Sequence, residues 1–463
     1  MGSVETAVEI VERLVAAGFD AYLAGGSVRD MLLGRTPVDY DIATAARPDQ
    51  IQALFPRTVD VGAAFGVIRV LEPDGEYEVA TFRTEGAYVD GRHPSSIRFA
   101  TAREDVMRRD FTINGLLYDP RGNRVLDSVG GRADLDARII RTIGDPMARF
   151  TEDRLRMLRA VRLATELGFE IAAEALAALR RLAPQAGDVS PERIRDELVR
   201  IVAGPDPARA LGLLRETGLL QVILPEVAAE IGVPQPEAFH PEGDVFEHTR
   251  LAMAHLKAPS ATLAMATLLH DIGKPPTFER AHDRIRFSRH DEVGAALART
   301  IMERLRFSRR EADRVAALVG RHMVFKDVLQ MRESRLRRLI ASDEFPELLA
   351  LHRADCAASH GDLRACARVE AVVEQLAGAP PVPPPLINGQ DVLALGLLPG
   401  PRVGEILRRV QNARLDGEIQ TRDEALALAS ALARSPEMMQ MTTPASRRER
   451  AERTVHNGRR GGD

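Results

Sequence analysis

Two aspartates one residue apart, Asp39 and Asp41, flank Tyr40 in the segment VDYDIAT (38–44). The segment reads as a strand, and alternate residues of a strand face the same side, so the two carboxylates project together. Such a pair is self-repelling, and a hard divalent cation such as Mg²⁺ relieves the repulsion. Upstream, Gly25 and Gly26 in AGGSVRD let backbone N–H groups approach phosphate oxygens, with a helix N-terminus behind them. Arg29 lies one turn into that helix and can pair with a triphosphate. A metal site beside a phosphate site points to phosphoryl or nucleotidyl transfer, which needs charge neutralisation and in-line alignment more than covalent help. Two cations on shared carboxylates serve both the attacking hydroxyl and the leaving pyrophosphate. Glu78 in YEVATFR (77–83) is the candidate third carboxylate, with an ordinary exposed strand residue as the alternative.

Two later blocks add recognition chemistry. In EDVMRRDFTINGLLYD (104–119), Arg109 and Asp110 precede a short apolar helix. In TEDRLRMLRAVRLA (151–164), Thr151 reads as a helix cap, and Asp153 and Arg156, three apart, share a helical face. Cytosine and adenine both present an amino group beside an unprotonated ring nitrogen. An aspartate accepts from the first while an arginine donates to the second. Uracil and guanine reverse both groups and meet like partners. One Asp/Arg pair can thus accept CTP and ATP and reject UTP and GTP without a template. An ordinary i,i+3 ion pair is the competing reading. Arg159 follows at a three-residue step and still reaches the same ligand. A further step rotates Arg162 away from Asp153 unless the site wraps around the helix.

Nine of the eleven histidines lie between residues 240 and 360, a concentration that needs its own explanation. His248, His270 with Asp271, His290, His322 and Asp355 follow one another as H…HD…H…H…D. Imidazole and carboxylate ligands suit a transition metal, and six ligands suit two metals that polarise a phosphate and activate water. Asp271 would bridge them, and Lys274 would face the phosphate. Cys356 beside Asp355 reads as a small buried hydrophobe.

The elements that must position these groups fall into two regimes. The first 140 residues or so alternate helix and strand, with Pro73-Asp74-Gly75 as a hairpin turn. Residues 84–97 carry two glycines and a proline without period and read as a mobile loop beside the site. From about residue 145 the runs are helical, broken by the prolines of 380–385. With 463 residues, 45% hydrophobic and 28% charged, the chain is a multidomain globular protein. No apolar run spans a membrane, the N-terminus lacks a basic signal region, and two cysteines make no disulfide framework, which together suit the cytoplasm. A net charge of −4 excludes a polycation, so any RNA contact must come from local patches.

GGSVRD (25–30), DYD (39–41), RRDFTING (108–115) and EDRLRMLRAVR (152–162), in this order, resemble the class II tRNA nucleotidyltransferase/poly(A) polymerase family of the DNA polymerase β superfamily. The resemblance implies an α+β chain: a polymerase-β-like head with a mixed sheet, then all-α neck, body and tail regions that read the base and hold tRNA. The expected boundaries are 1–144 for the head, 145–235 for the neck and body, 236–378 for a metal-binding HD domain, 386–440 for a helical tail and 441–463 for a disordered basic end. Carried over, Asp39 and Asp41 would bind Mg²⁺, and Gly26, Arg29, Arg109, Asp153, Arg156, Arg159 and Arg162 would contact CTP or ATP. The histidine series is similar to the HD phosphohydrolases. FRTEGAYVDGRHP (82–94) looks like the loop with which CCA-adding members switch from C to A, favouring full CCA addition over A addition alone. A poly(A) polymerase, an HD phosphohydrolase with a regulatory nucleotide-binding head, and a uridylyltransferase of nitrogen signalling remain the alternatives.

Overall fold

Strands at the N-terminal end are short, and the one that carries Asp41 begins at that residue. A computed structural model describes residues 2–62, 66–85, 97–237, 240–282 and 284–440. Helix α1 (Val4–Ala16) is capped by Ser3, whose hydroxyl accepts from the Thr6 amide, and buries Ala7, Ile10, Val11 and Leu14. It leads into β1 (Ala21–Ala24), α2 (Gly26–Leu32), β2 (Asp41–Thr44) and α3 (Pro48–Leu54). Strands β3 (Thr58–Gly62), β4 (Val67–Glu72) and β5 (Gly75–Thr81) follow as expected from their alternation. A ribbon of β6 (Arg83–Glu85) and β7 (Ile97–Phe99) precedes α4 (Ala102–Met107), β8 (Leu117–Asp119) and β9 (Arg124–Leu126). The seven-stranded sheet has the order β3-β4-β5-β2-β1-β8-β9. Only the β2–β5 pair is parallel, so the sheet is mixed, as the fold class requires. Ala24, Ala43, Phe82, Val106, Leu117 and Ile143 pack together beneath its centre.

Strand β2 starts at Asp41, so Asp39 precedes it rather than lying within it. The alternation nevertheless holds through the bend: Asp39 and Asp41 are exposed and Tyr40 between them is buried. The mobile-loop reading of 84–97 falls largely on residues 86–96, outside the described residues, as does the basic end from 441.

Helix α5 (Gly131–Ala137) and β10 (Ile139–Ile140) close the head. The helical part opens with α6 (Pro146–Glu152) and α7 (Leu155–Leu167), then β11 (Glu170–Ile171), which pairs with β10, and α8 (Ala173–Leu182), α9 (Pro191–Val202), α10 (Pro207–Thr217), α11 (Leu219–Ile223) and α12 (Pro225–Ala228). Helix α7 is buried on nearly every side, and Gly168, at φ 72°, ends it in the left-handed conformation that glycine adopts without strain. Next come α13 (Val245–Ala254), α14 (Ala261–Leu269), the hairpin β12 (Phe278–Arg280) with β13 (Ile285–Phe287), α15 (His290–Arg304) and α16 (Arg309–Arg321).

The chain divides into two compact units, one running to Gly320 and taking in Ala357–His360, the other formed by Arg321–Cys356 and the described residues from Gly361 onward. The second unit holds α17 (Glu333–Ile340), most of α18 (Phe345–Ala358), α19 (Arg364–Leu376), α20 (Gly389–Leu393), α21 (Pro401–Leu415), α22 (Arg422–Ala433) and α23 (Pro436–Gln440). Ile387, Val392, Ile406, Val410, Ala425, Ala429 and Met438 form its C-terminal core. No helix among the described residues is long and apolar enough to cross a membrane.

Candidate active site and histidine cluster

Gly25 caps α2 at φ 74°, a conformation that disfavours any side chain, and its amide donates to the Leu116 carbonyl. A methyl group there would meet Arg109 Nη1 at 3.1 Å and Asp41 Oδ2 at 3.5 Å. The glycine therefore lets three elements converge: α2, the start of β2, and the segment after α4. Asp41 pairs in register with Glu78 across the parallel β2–β5 ladder. Asp41 opens onto the cleft, yet the protein packed round it raises its pKa to about 6. Glu78 adds to the rise, Arg109 opposes it, and Asp39 adds a little more. A carboxylate held against ionisation by its neighbours is one whose charge a cation would relieve, so the residues fit a hard divalent ion. Among the described residues, the groups of three ligand side chains within 4.8 Å of one another lie in the histidine region and not in the head. The head carboxylates thus do not form a closed cage by themselves.

The cationic side is fixed by carboxylates. Arg29 is buried, chelates Asp30 at 2.8 and 2.9 Å, and donates to Asn114 Oδ1 at 2.8 Å. Arg109 donates to Asp105 at 3.1 Å, and Asp105 also receives Arg108 at 2.7 Å. Burial works against ionising Asp105, but Arg108 and Arg109 outweigh it and its pKa is lowered. Asp110 has partners other than its neighbour Arg109. It is buried, accepts from Asn114 Nδ2 at 3.1 Å, and takes Arg159 of α7 at 2.6 Å. Burial opposes its charge, yet Arg159 and Asn114 bring its pKa down to about 2.

The base-reading pair is arranged differently from the expectation. TEDRLR is not one helix. Thr151 lies inside α6, Asp153 is that helix's C-cap at φ −140°, and α7 starts at Leu155. The Asp153 side chain accepts from the Leu155 amide at 3.1 Å, which holds the break open. Asp153 and Arg156 therefore share a bend rather than a helical face. Asp153 is gripped by both Nη atoms of Arg193 of α9, at 3.1 and 2.8 Å. Arg156 is buried and donates to Glu152 Oε2 at 2.9 Å and to the carbonyls of Arg149 and Arg108. Arg162 pairs with Glu197 and Glu166, each at 2.6 Å.

One cleft of about 870 Å³ collects these groups. Gly25, Gly26, Arg29, Asp39, Asp41, Arg109, Asp153, Arg156, Arg159 and Arg162 all line it. The wall follows α7 round its axis, which brings in Arg162 despite the rotation expected of it. Arg193 and Arg200 also line it and were not visible in the sequence, since nothing local marks a partner of Asp153 forty residues away. Glu78 adjoins Asp41 on the sheet but is not in the lining.

The head matches the family described as the Poly A polymerase head domain over residues 21–141, the following segment a probable RNA and SrmB-binding site of polymerase A over 168–231, and residues 244–356 an HD domain. An A-adding tRNA nucleotidyltransferase of Deinococcus radiodurans is 37% identical over 88% of this chain and 94% of its own. The chain belongs to the class II tRNA nucleotidyltransferase family. A CC-adding member from Thermus thermophilus is likewise 37% identical, over 88% of this chain and 92% of its own. A CCA-adding enzyme of Geobacillus thermodenitrificans is 46% identical over 46% of this chain and 53% of its own, so the match spans about half the length of that relative. The family's CCA-adding enzyme of Bacillus stearothermophilus, solved with CTP, superposes with a TM-score of 0.71 at 30% identity, covering 94% of this chain and 98% of that one.

The histidine cluster is built on the first unit by α13, the end of α14 and the start of α15. His248 and His270 bring their Nε2 atoms within 3.3 Å, with Asp271 Oδ2 at 3.6 and 3.2 Å from them. His290 Nε2 lies 3.7 Å from Asp271 Oδ1. His270 Nδ1 donates to the Thr267 carbonyl and His290 Nδ1 to the Phe287 carbonyl, which turns both Nε2 atoms inward. Ring nitrogens facing each other this closely need a proton or a cation between them, so the donors fit a transition metal. Lys274, expected to meet a phosphate, pairs with Asp271 Oδ2 at 2.6 Å and with Gln235. His322 is buried and Asp355 half-buried in the second unit. Cys356 is buried, and burial pushes its thiol up to about 12, in keeping with a hydrophobic role.

Proposed function

We propose that this chain adds CCA to tRNA 3′ ends from CTP and ATP, with release of pyrophosphate and without a template. The reading is carried by one observation: Gly25, Gly26, Asp39 and Asp41 line the same cleft as Asp153 and Arg156. In the mechanism, Asp39 and Asp41 would hold Mg²⁺, with Glu78 beside them on the sheet. The bound ions would lower the pKa of the attacking 3′-hydroxyl and neutralise the leaving pyrophosphate. Gly26 and Arg29 orient the triphosphate, and Arg109 crosses from Asp105 to reach it. The Asp153 carboxylate accepts from the base amino group while Arg156 donates to the ring nitrogen. Arg159 and Arg162 continue the same wall. UTP would put a carbonyl against Asp153 and an N–H against Arg156, leaving both unpaired at a cost of about 1–3 kcal/mol each.

The work divides as head 1–144, neck and body 145–235, HD domain 236–378 and tail 386–440. The HD domain would hold a transition metal, the first unit supplying His248, His270, Asp271 and His290, as in a phosphohydrolase. The active setting is the cytoplasm, where tRNA, CTP and ATP meet.

A second reading, addition of A alone, is favoured by the nearly full-length A-adding relative. The test is incorporation of labelled CTP and ATP into tRNA lacking CCA and into tRNA ending in CC. C followed by A on the first substrate is expected. A on tRNA-CC with no C on the shorter primer would install the second reading, and C without A would overturn both. Asp41→Ala is expected to lower incorporation by roughly 10³-fold, since the cation site supplies several kcal/mol.

A further inference from the structure

Three histidines of the HD cluster in the first unit owe their orientation to what their Nδ1 atoms touch. For His270 and His290 this is a backbone carbonyl three residues earlier, at 2.8 and 3.0 Å, so the fold itself sets the tautomer. His248 is different. Its Nδ1 lies 2.7 Å from Glu242 Oε1, a side chain in the segment that leads into α13. The same Glu242 oxygen lies within hydrogen-bond distance of both His248 and His240, the arrangement of a carboxylate that accepts from two donors. With its Nδ1 proton given to that oxygen, His248 presents a bare Nε2 toward His270 and Asp271.

His240 completes the arrangement. Its Nδ1 lies 2.9 Å from the same Glu242 oxygen, and its ring packs edge-on against His248 with centroids 4.9 Å apart. The Glu242 side chain is nearly fully buried, so neither its hydrogen bonds nor its charge are diluted by water. Nothing in the H…HD…H…H…D pattern assigns a role to His240 or Glu242.

We propose that Glu242 is a positioning residue for the HD metal: it fixes the His248 tautomer and raises the basicity of the ligating Nε2, with His240 holding Glu242 in place. The inference rests on the reading of the histidine cluster as a transition-metal site. Carboxylates behind ligating histidines strengthen metal binding by roughly ten- to a hundredfold, and the consequence here is an affinity set by a residue that never touches the ion.

The full-length protein, stripped with a chelator, is titrated with Co²⁺ alone and followed by the ligand-field bands that report imidazole coordination. Glu242→Ala is expected to weaken Co²⁺ binding roughly ten- to a hundredfold. Glu242→Gln keeps an acceptor but not the charge, and is expected to fall between Ala and wild type. Ring ¹⁵N shifts of His248 are expected to show the Nδ1–H tautomer in wild type and a mixture in Glu242→Ala, which a purely structural role would not produce. Should Glu242→Ala fail to fold, the near-isosteric Gln variant carries the comparison. Wild-type binding that is lost in His248→Ala but unchanged in both Glu242 variants would overturn the proposal alone. Wild-type protein with no Co²⁺ band would overturn the metal reading, and the proposal with it.

Discussion

At the residue scale, the candidate active site is a set of arginines and carboxylates that already satisfy one another. Asp110 shows what this does for stability. Its folded pKa of about 2 lies below the ordinary carboxylate value, so it contributes above pH 4 and loses that contribution as pH falls from 4 toward 2. The displacement corresponds to about 2 kcal/mol for this buried group. Asp110→Asn is therefore expected to lower the denaturation midpoint at pH 7, with the gap to wild type closing as the pH approaches 2. Arg193 makes a functional rather than a thermal prediction. Without its two bonds, Asp153 would be free to turn away from the base it is proposed to read. Arg193→Ala is expected to raise KM for CTP and ATP by roughly tenfold, the loss of one charge-assisted interaction, and to narrow the preference over UTP, as steady-state incorporation would show. The grouping of Asp39, Asp41, Gly25 and Arg29 in one cleft was legible because they lie within a few residues of one another. The contacts of Arg193 and Glu242 were not, because each is made to a partner that only the fold brings near.

At the element scale, the positions of helices are limited by glycines that admit another backbone. Gly273 follows His270 and Asp271 by a few residues, and a methyl group there would lie 1.9 Å from the His290 carbonyl oxygen and 2.7 Å from the Gly294 amide. The start of α15 can reach Asp271 only because that side chain is missing. Gly273→Ala is expected to cost about 3 kcal/mol or more, as overpacking against backbone does, and to weaken Co²⁺ binding by moving His290. Gly404 in α21 is the contrast, with no atom within 4 Å of an added methyl and no positive φ. Gly404→Ala is expected to stabilise by about 0.5–1 kcal/mol in a thermal melt. The sequence correctly signalled the helical second half and the strand run of 58–81. It misled at Asp153, because TEDRLRMLR has good helical propensity throughout and only the Asp153-to-Leu155 hydrogen bond reveals the break.

At the scale of the molecule, the mixed sheet and the helices behind it were legible from a change of period near residue 140, and the four ordered motifs made the family recognisable. The assignment of CCA rather than A addition was not legible in the same way. The members of the family named above include CCA-, A- and CC-adding enzymes, and the segment expected to discriminate, 82–94, lies mostly outside the described residues. The acidic net charge has a consequence for RNA. An affinity for tRNA built on a few local arginines should fall with salt along a shallow line, about 0.7–0.9 log units per phosphate contacted for each decade of salt. A filter-binding series from 50 to 300 mM salt measures it.

The pairing of the cleft arginines has one more consequence, for what happens after the reaction. Eight arginines and six carboxylates line the cleft, so it is nearly balanced rather than strongly cationic. In the proposed reaction, Arg29 would have Asp30 to return to once pyrophosphate leaves, and Arg109 would have Asp105. The departing anion would compete with these internal partners for each of the two guanidinium groups. Such a site would let go readily, and pyrophosphate should be a weak product inhibitor. Deprive Arg29 of its fallback with Asp30→Asn, and turnover should slow as inhibition by pyrophosphate tightens.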